Sequence, residues 1–161
     1  MANVHEALQP IQWLIGTWQS VTAKGSYPTI KDFSYNEIIT FESLGQPLLN
    51  YEARSSHPVS GAPMHLERGF LRIKPGTNQV AFMVSHNFGI VVLEEGEATA
   101  RGMQLSSKSV DRMSFGKDPA VKAIQKRYLL HDDGTLEIQT DMHTNNTPMT
   151  NHLNVIYKKI D

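Results

Sequence analysis

The last strand-forming stretch of the chain reads Thr147-Pro148-Met149-Thr150-Asn151-His152-Leu153-Asn154-Val155-Ile156-Tyr157-Lys158-Lys159. Pro148 ends a polar turn, and the residues after it alternate for long enough to predict a β-strand. Leu153, Val155 and Tyr157 share one face of this strand, and His152 stands at its entrance. At this place a side chain can still reach the mouth of a barrel, where it would meet the stretches Tyr27-Pro28-Thr29-Ile30 and Pro63-Met64-His65-Leu66-Glu67.

The rest of the chain repeats this pattern of short alternating segments separated by turn residues. Gly, Pro, Asn and Asp occupy the connections, and Asp133-Gly134 between two alternating segments predicts a tight hairpin. A short helical turn is predicted within residues 115–123, where Asp118-Pro119 is a reasonable helix start. Ten strands are predicted in all: 17–24, 34–43, 47–57, 63–73, 79–86, 89–95, 102–110, 124–131, 135–143 and 150–159.

This succession of strands predicts an all-β fold, a ten-stranded antiparallel up-and-down β-barrel with a short N-terminal helical cap. A sheet of ten strands must close or split to remove its edges, and a β-sandwich is the alternative. Residues 4–15 carry apolar side chains at helical spacing, and we expect a break at Pro10. A barrel of this width is not filled by its own side chains, so an interior ligand is expected.

Composition excludes several classes of function. With 161 residues, the chain is predicted to form one domain over residues 1–161. A net charge of −1 gives no basic surface for nucleic acid, and the absence of cysteine excludes disulfides and thiolate metal sites. The N-terminus has no secretory pattern, and no apolar run approaches the ~20 residues of a membrane span. We therefore expect a cytoplasmic protein without nucleic-acid or membrane partners.

Motif searches leave the histidines as the main candidates for chemistry. No phosphate-binding loop, dinucleotide fingerprint, zinc-protease helix or nucleophile elbow is present. Nor does the sequence contain an H-x-H pair or another tight histidine cluster for a single metal ion. His65 and Glu67 lie two apart on one strand, so they share a face. A lone strand histidine such as His152 is more often structural than a ligand, and the remaining five are expected to be solvated or frayed: His5, His57, His86, His131 and His143.

Six segments occur in a fixed order along the chain: Ile15-Gly16-Thr17-Trp18, Gly25-Ser26-Tyr27-Pro28-Thr29-Ile30, Gly45-Gln46-Pro47-Leu48-Leu49-Asn50-Tyr51, Pro63-Met64-His65-Leu66-Glu67-Arg68-Gly69-Phe70, Gly89-Ile90-Val91-Val92-Leu93-Glu94-Glu95-Gly96 and Pro148-Met149-Thr150-Asn151-His152-Leu153. Together they resemble the nitrobindins, the family of haem-binding β-barrels. The similarity spans about residues 8–159 and is closest to the animal members, including the C-terminal domain of the vertebrate THAP zinc-finger fusion. The bacterial glycine pattern after Trp18 is only partly kept, since Gln19-Ser20-Val21 lacks the later glycines.

The resemblance implies a haem b near one open end of the barrel, with the iron held by His152. It nominates Thr29 at the haem edge, and Met64 and His65 on the wall beside the haem. Strict alternation places His152 opposite Leu153, Val155 and Tyr157. Either a barrel apolar on both faces or a one-residue bulge would reconcile this alternation with a ligand role.

The resemblance also implies an enzyme, a haem-dependent peroxynitrite isomerase that binds nitric oxide and converts peroxynitrite to nitrate. No catalytic residue is expected beyond the haem iron held by His152. The partners are then small molecules, nitric oxide and peroxynitrite, and a monomer or weak dimer is expected. Two alternatives stay open: a non-catalytic carrier or sensor of haem or nitric oxide, and a fatty-acid-type ligand-binding barrel.

Overall fold

The computed structural model describes residues 3–161 and contains one 3-10 helix followed by eleven strands. The helix spans Glu6–Leu14. The strands are β1 (Gly16–Tyr27), β2 (Ile30–Ser34), β3 (Asn36–Ser43), β4 (Leu48–Ser56), β5 (Pro63–Ile73), β6 (Gln79–His86), β7 (Ile90–Thr99), β8 (Gly102–Arg112), β9 (Val121–Leu130), β10 (Leu136–Thr144) and β11 (Thr150–Lys159). Among the described residues, no helix is long and apolar enough to cross a membrane.

Ten of these strands form a closed antiparallel barrel, as predicted. Each strand from β3 to β10 pairs with the next along the chain, and β1 closes the ring by pairing with both β3 and β11. The pairing of β1 with β11 extends from Trp18, which lies opposite Lys159, to Gly25, which lies opposite Leu153. The additional strand β2 was missed by the sequence analysis. It pairs with the far end of β1 and is separated from β3 only by Tyr35, so the two together take one place in the ring.

The 3-10 helix closes one end of the barrel. Its apolar side chains Ala7, Leu8, Ile11 and Leu14 join the main hydrophobic core. Trp18 is buried behind them, and its indole Nε1 donates a hydrogen bond to the Leu14 carbonyl at 2.9 Å. The Trp therefore fixes the helix to the first strand. Burial of these apolar faces is the main force holding the cap in place.

Two local predictions were wrong. The helical cap does not break at Pro10, because Pro10 lies inside a continuous 3-10 helix. Residues 115–123 form no helical turn: Asp118-Pro119 is a cis peptide in a loop, and β9 already begins at Val121. The hairpin around Asp133-Gly134 is confirmed, with Gly134 at a φ of 85° and its N–H bonded to the His131 carbonyl at 3.0 Å.

The end opposite the helix is the mouth of the barrel, which we define by the loops 28–29, 57–62, 87–89, 113–120 and 145–149. Because consecutive strands are antiparallel, β1 and β6 finish at the mouth while β5 and β11 begin there. Three of the motifs that carried the resemblance, Gly25–Ile30, Pro63–Phe70 and Pro148–Leu153, thus meet at the mouth, although more than a hundred residues separate the first of them from the last. This end of the barrel carries the candidate functional residues.

Candidate functional site

His152 lies on a bulge at the mouth. Thr140 of β10 is opposite Leu153, but the next residue, Asp141, is opposite Asn151. His152 is therefore the extra residue of β11, which confirms one of the two explanations offered for its register. A bulge re-aims the side chain at the point where it occurs, and bulges are common beside functional sites.

The imidazole of His152 is fixed by the strand next to it. Its Nδ1 lies 3.0 Å from the carbonyl oxygen of Ser26, and since a carbonyl only accepts, Nδ1 carries the proton. The other ring nitrogen, Nε2, is then the one with a free lone pair. Burial lowers the pKa of His152. The hydrogen bond to Ser26 acts in the opposite direction, but the effect of burial is larger. A neutral ring with a defined tautomer and one free lone pair is suited to bind a metal ion.

Aromatic side chains hold the ring of His152 on two sides. The Tyr27 ring packs edge-on at 5.2 Å between centroids and Phe33 at 6.3 Å. Tyr27 is itself anchored, because its hydroxyl donates to the Met142 carbonyl at 2.9 Å. Gly25 lets the Phe33 ring lie across β1, since a Cβ at this position would overlap that ring. The supporting role of Tyr27 and Phe33 was not predicted; the presence of Tyr27 in the segment Gly25–Ile30 was the one signal that pointed to it.

A second group of side chains, which we call the histidine–glutamate cluster, consists of His65, Glu67 and His86. His65 Nε2 lies 2.9 Å from both Glu67 Oε2 and His86 Nδ1. The Tyr51 hydroxyl donates to the other carboxylate oxygen of Glu67 at 3.2 Å. Burial alone would raise the pKa of Glu67, but the hydrogen bond from His65 and nearby positive charges outweigh it and hold the pKa below its ordinary value.

This cluster confirms one sequence prediction and corrects two. His65 and Glu67 share a face and contact each other, as predicted. His86 is not solvated but buried, with a side chain only 5% exposed, because β6 places it beside Glu67 inside the barrel. The prediction that no tight histidine cluster is present was also wrong. Its members come from two strands paired in register, Glu67 opposite His86, so no spacing along the chain could reveal it.

The remaining nominated residues lie at the rim. Thr29 is exposed in the turn between β1 and β2. Met64 is 39% exposed and, by strand alternation, faces away from His65 together with Leu66. The side chains of Met64 and His65 therefore lie on opposite faces of β5 and are not brought to one site. The contact of Thr29 and Met64 with a ligand stays a prediction.

The other histidines serve turns and surface pairs. His5 caps the 3-10 helix by accepting from the Ala7 N–H, and His57 accepts from two N–H groups of its own loop. His131 lies 3.5 Å from Glu137 on the outer surface, and His143 is half-buried. Two surface depressions, beside His131 and on the outer face of β8 to β10, lie away from the mouth.

The barrel interior holds charged and phenolic groups. Lys126 donates to Glu94 at 3.2 Å, and their side chains are 8% and 0% exposed. Glu37 accepts a hydrogen bond from Tyr157. Burial, reinforced by the charge of Glu67, raises the pKa of Glu37 to about 7. The interior of the barrel therefore contains strongly polar groups. The only sign of them in the sequence was the mixture of polar and apolar residues on the strands.

Glu37→Gln is expected to change the pH dependence of stability. The folded state keeps the Glu37 proton up to a pKa of about 7, while the unfolded chain loses it near 4.5. The unfolded state therefore binds fewer protons between these values, so this group lowers the stability of the wild type as pH rises, by roughly 2–3 kcal/mol. Urea unfolding at pH 4.5 and pH 8 should show the variant gaining stability relative to the wild type at the higher pH. The exposed Glu42→Gln, on the same strand, should show no such gain; equal behaviour of the two variants would contradict the prediction.

Comparison with known proteins agrees with this geometry. The family described as "THAP4-like, heme-binding beta-barrel domain" matches residues 7–159. The chain belongs to this family. Within it, the proteins named peroxynitrite isomerase THAP4 from Homo sapiens and Mus musculus are each 42% identical over 159 residues. The match covers 98% of this chain and 28% of those relatives, so the chain spans less than a third of their length.

Two members of comparable length extend the comparison. The protein named peroxynitrite isomerase Rv2717c from Arabidopsis thaliana is 32% identical over 157 residues, with 98% of this chain and 91% of the relative covered. The crystal structure of Rv2717c from M. tuberculosis superposes with a TM-score of 0.87 at 27% identity, covering 99% and 100% of the two chains. The family is thus shown by sequence, and the solved structure shows the same barrel fold.

The residues at the mouth fit the cofactor that the family name implies. Haem iron takes an imidazole ligand whose other nitrogen is hydrogen-bonded, and His152 with Nδ1 on the Ser26 carbonyl meets that requirement. The aromatic rings of Tyr27 and Phe33 beside it give the apolar surface that a porphyrin needs. No cysteine competes for the iron.

Proposed function

We propose that this chain binds haem b through His152 and isomerises peroxynitrite to nitrate, and that it binds nitric oxide at the same iron. The observation that carries the proposal is the fixed tautomer of His152, with Nδ1 on the Ser26 carbonyl and Nε2 free. The relatives named peroxynitrite isomerase support the choice of reaction, since they match across 98% of this chain.

The protein residues act by binding and orientation. His152 would hold the haem iron through Nε2, and its hydrogen bond to Ser26 keeps the ring from rotating and raises its basicity. The rings of Tyr27 and Phe33 exclude water from one side of the imidazole. When bound, ferric haem supplies the coordination site and the electronic flexibility for a redox-neutral rearrangement. We assign no protein side chain to proton transfer.

His65, Met64 and Thr29 complete the proposed haem site. His65 would lie on the wall beside the haem, and its positive charge, when protonated, opposes protonation of His152. Thr29 would lie at the haem edge in the β1–β2 turn. Met64 would contact the haem only at the rim, because its side chain faces outward. The proposed compartment is the cytoplasm and the proposed assembly is a monomer or weak dimer.

The test is peroxynitrite decay, followed by stopped-flow absorbance at fixed pH with increasing amounts of haem-loaded chain. The expected result is a decay rate that rises in proportion to the loaded protein, with nitrate formed at the expense of nitrite. The haem-free chain and an equal concentration of free haemin are the controls.

The outcomes separate the proposed isomerase from its alternatives. A haem-loaded chain that leaves the decay rate at the level of the haem-free chain would identify a carrier or sensor of haem or nitric oxide. A chain that gives no saturable Soret band on addition of haemin would exclude haem binding, and a fatty-acid-type carrier would then be the better assignment. Either result contradicts the proposed function.

A further inference from the structure

The histidine–glutamate cluster has a geometry that hydrogen bonding alone does not satisfy. His65 Nε2 lies 2.9 Å from Glu67 Oε2 and 2.9 Å from His86 Nδ1, while the last two atoms are 3.9 Å apart. If the proton is on His65 Nε2, it is shared between two acceptors and His86 carries its own proton on Nε2. That His86 Nε2 is buried without a hydrogen-bond partner in the described part of the chain.

The other tautomer is no better. If His86 Nδ1 carries the proton and donates it to His65 Nε2, then the His65 lone pair faces the Glu67 carboxylate at 2.9 Å with no proton between them. Two lone-pair atoms at this distance repel each other, and a buried group left unpaired costs free energy. The two imidazole nitrogens and the carboxylate oxygen therefore lie close together, and no placement of a single proton gives all three a hydrogen bond without leaving a buried group unpaired.

We propose that His65, Glu67 and His86 form a binding site for a divalent first-row transition-metal ion such as Zn²⁺, which does not use the haem ligand His152 and shares only His65 with the proposed haem site. The point that is equally distant from His65 Nε2, Glu67 Oε2 and His86 Nδ1 lies about 2.0 Å from each of them. This is the usual length of zinc bonds to imidazole and carboxylate. Two imidazoles and one carboxylate are a known donor set for Zn²⁺ and for Fe²⁺, with further positions open to water or substrate.

The surroundings of the cluster prepare it for a metal. The Tyr51 hydroxyl engages Glu67 Oε1, which leaves Oε2 for the ion and fixes the plane of the carboxylate. The backbone at His65 is held by Ser55, whose side chain accepts from the His65 N–H at 2.9 Å and donates to its carbonyl at 3.2 Å. His65 itself is 32% exposed and gives the ion a path from the mouth, whereas His86 and Glu67 are 5% and 14% exposed.

The experiment is a Zn²⁺ titration of the full haem-free chain against a chromophoric chelator, repeated with Co²⁺ as a spectroscopic probe. The wild type is expected to bind one equivalent, and Zn²⁺ is expected to raise its Tm because the folded state binds the ion preferentially. His86→Gln and Glu67→Gln should each weaken binding by about 10- to 100-fold or more, since even residues that only support a ligand have effects of that size.

Two control variants make the test specific. His131→Gln removes a histidine that also lies beside a glutamate, 3.5 Å from Glu137, but on the outer surface, and should bind Zn²⁺ like the wild type. His152→Ala should also keep its Zn²⁺ affinity, so failure of the haem proposal would leave this result unchanged. Equal affinities for wild type and His86→Gln, or loss of binding in His131→Gln or His152→Ala, would overturn the proposal. Because Glu67→Gln is nearly isosteric, its affinity decides the matter if His86→Gln does not fold.

Discussion

His152→Ala is expected to abolish axial ligation of haem, with a loss of at least about 100-fold in haemin affinity. The variant removes the imidazole whose Nδ1 is fixed on the Ser26 carbonyl. It leaves the apolar contacts of Tyr27 and Phe33 in place, so residual weak binding of haemin to the mouth is compatible with the prediction. The measurement is a haemin titration by absorbance, in which the wild type should give a saturable one-to-one ferric Soret band that the variant lacks or shifts.

A matched control and a rescue make this result interpretable. His143→Ala removes a half-buried histidine from the adjacent strand β10 and should bind haemin like the wild type. Added imidazole should restore a ligated spectrum to the His152→Ala protein, because the space left by the side chain lies beside the proposed iron position. Identical spectra for wild type and His152→Ala, both resembling free haemin, would show that this histidine is not the ligand.

Lys126→Met is expected to destabilise the fold by roughly 3–5 kcal/mol, because it leaves the Glu94 carboxylate buried without its counter-charge. The Glu94 side chain is 0% exposed, and among the described residues its Oε1 has no hydrogen-bond partner. Burial already raises the pKa of Glu94, so the carboxyl of the variant should take up a proton as the pH falls. The loss of stability should accordingly be smaller at pH 5 than at pH 8.

The companion variants separate charge from packing. Lys126→Met combined with Glu94→Leu removes both charges, and buried ion pairs replaced by apolar groups are often neutral or stabilising. The double variant should therefore be more stable than either single one in urea unfolding at pH 7. Arg127→Met breaks an outward-facing pair with Asp141 at 3.5 Å and should cost about 1 kcal/mol or less. A Lys126→Met protein as stable as Arg127→Met would refute the argument.

The barrel was largely predictable from local sequence. Alternation and turn residues act within a few positions along the chain, so they gave all ten ring strands, and the failures fell where that local signal is weak. Strand β2 was missed because Pro28-Thr29 and the break at Tyr35 leave only Ile30–Ser34 to alternate. The predicted helical turn in 115–123 failed because a proline after an aspartate is as compatible with a loop as with a helix start.

The candidate site was predictable only in part. The resemblance nominated His152, and the His65–Glu67 contact followed from a spacing of two on one strand. His86 could not be found this way, because its neighbours are set by the register of β5 with β6 rather than by the chain. The pairing of Lys126 with Glu94, 32 residues away, is likewise invisible to periodicity.

The sequence by itself determined the fold class, the number of strands in the ring and the family, since each depends on patterns local to the chain. The tertiary structure alone decided how the side chains meet at the mouth. A bulge of one residue turns His152 out of the strand's alternation, and the Ser26 carbonyl, 126 positions away, selects its tautomer. Closure of the barrel brings these groups together, because only the pairing of β1 with β11 puts the first and last strands side by side.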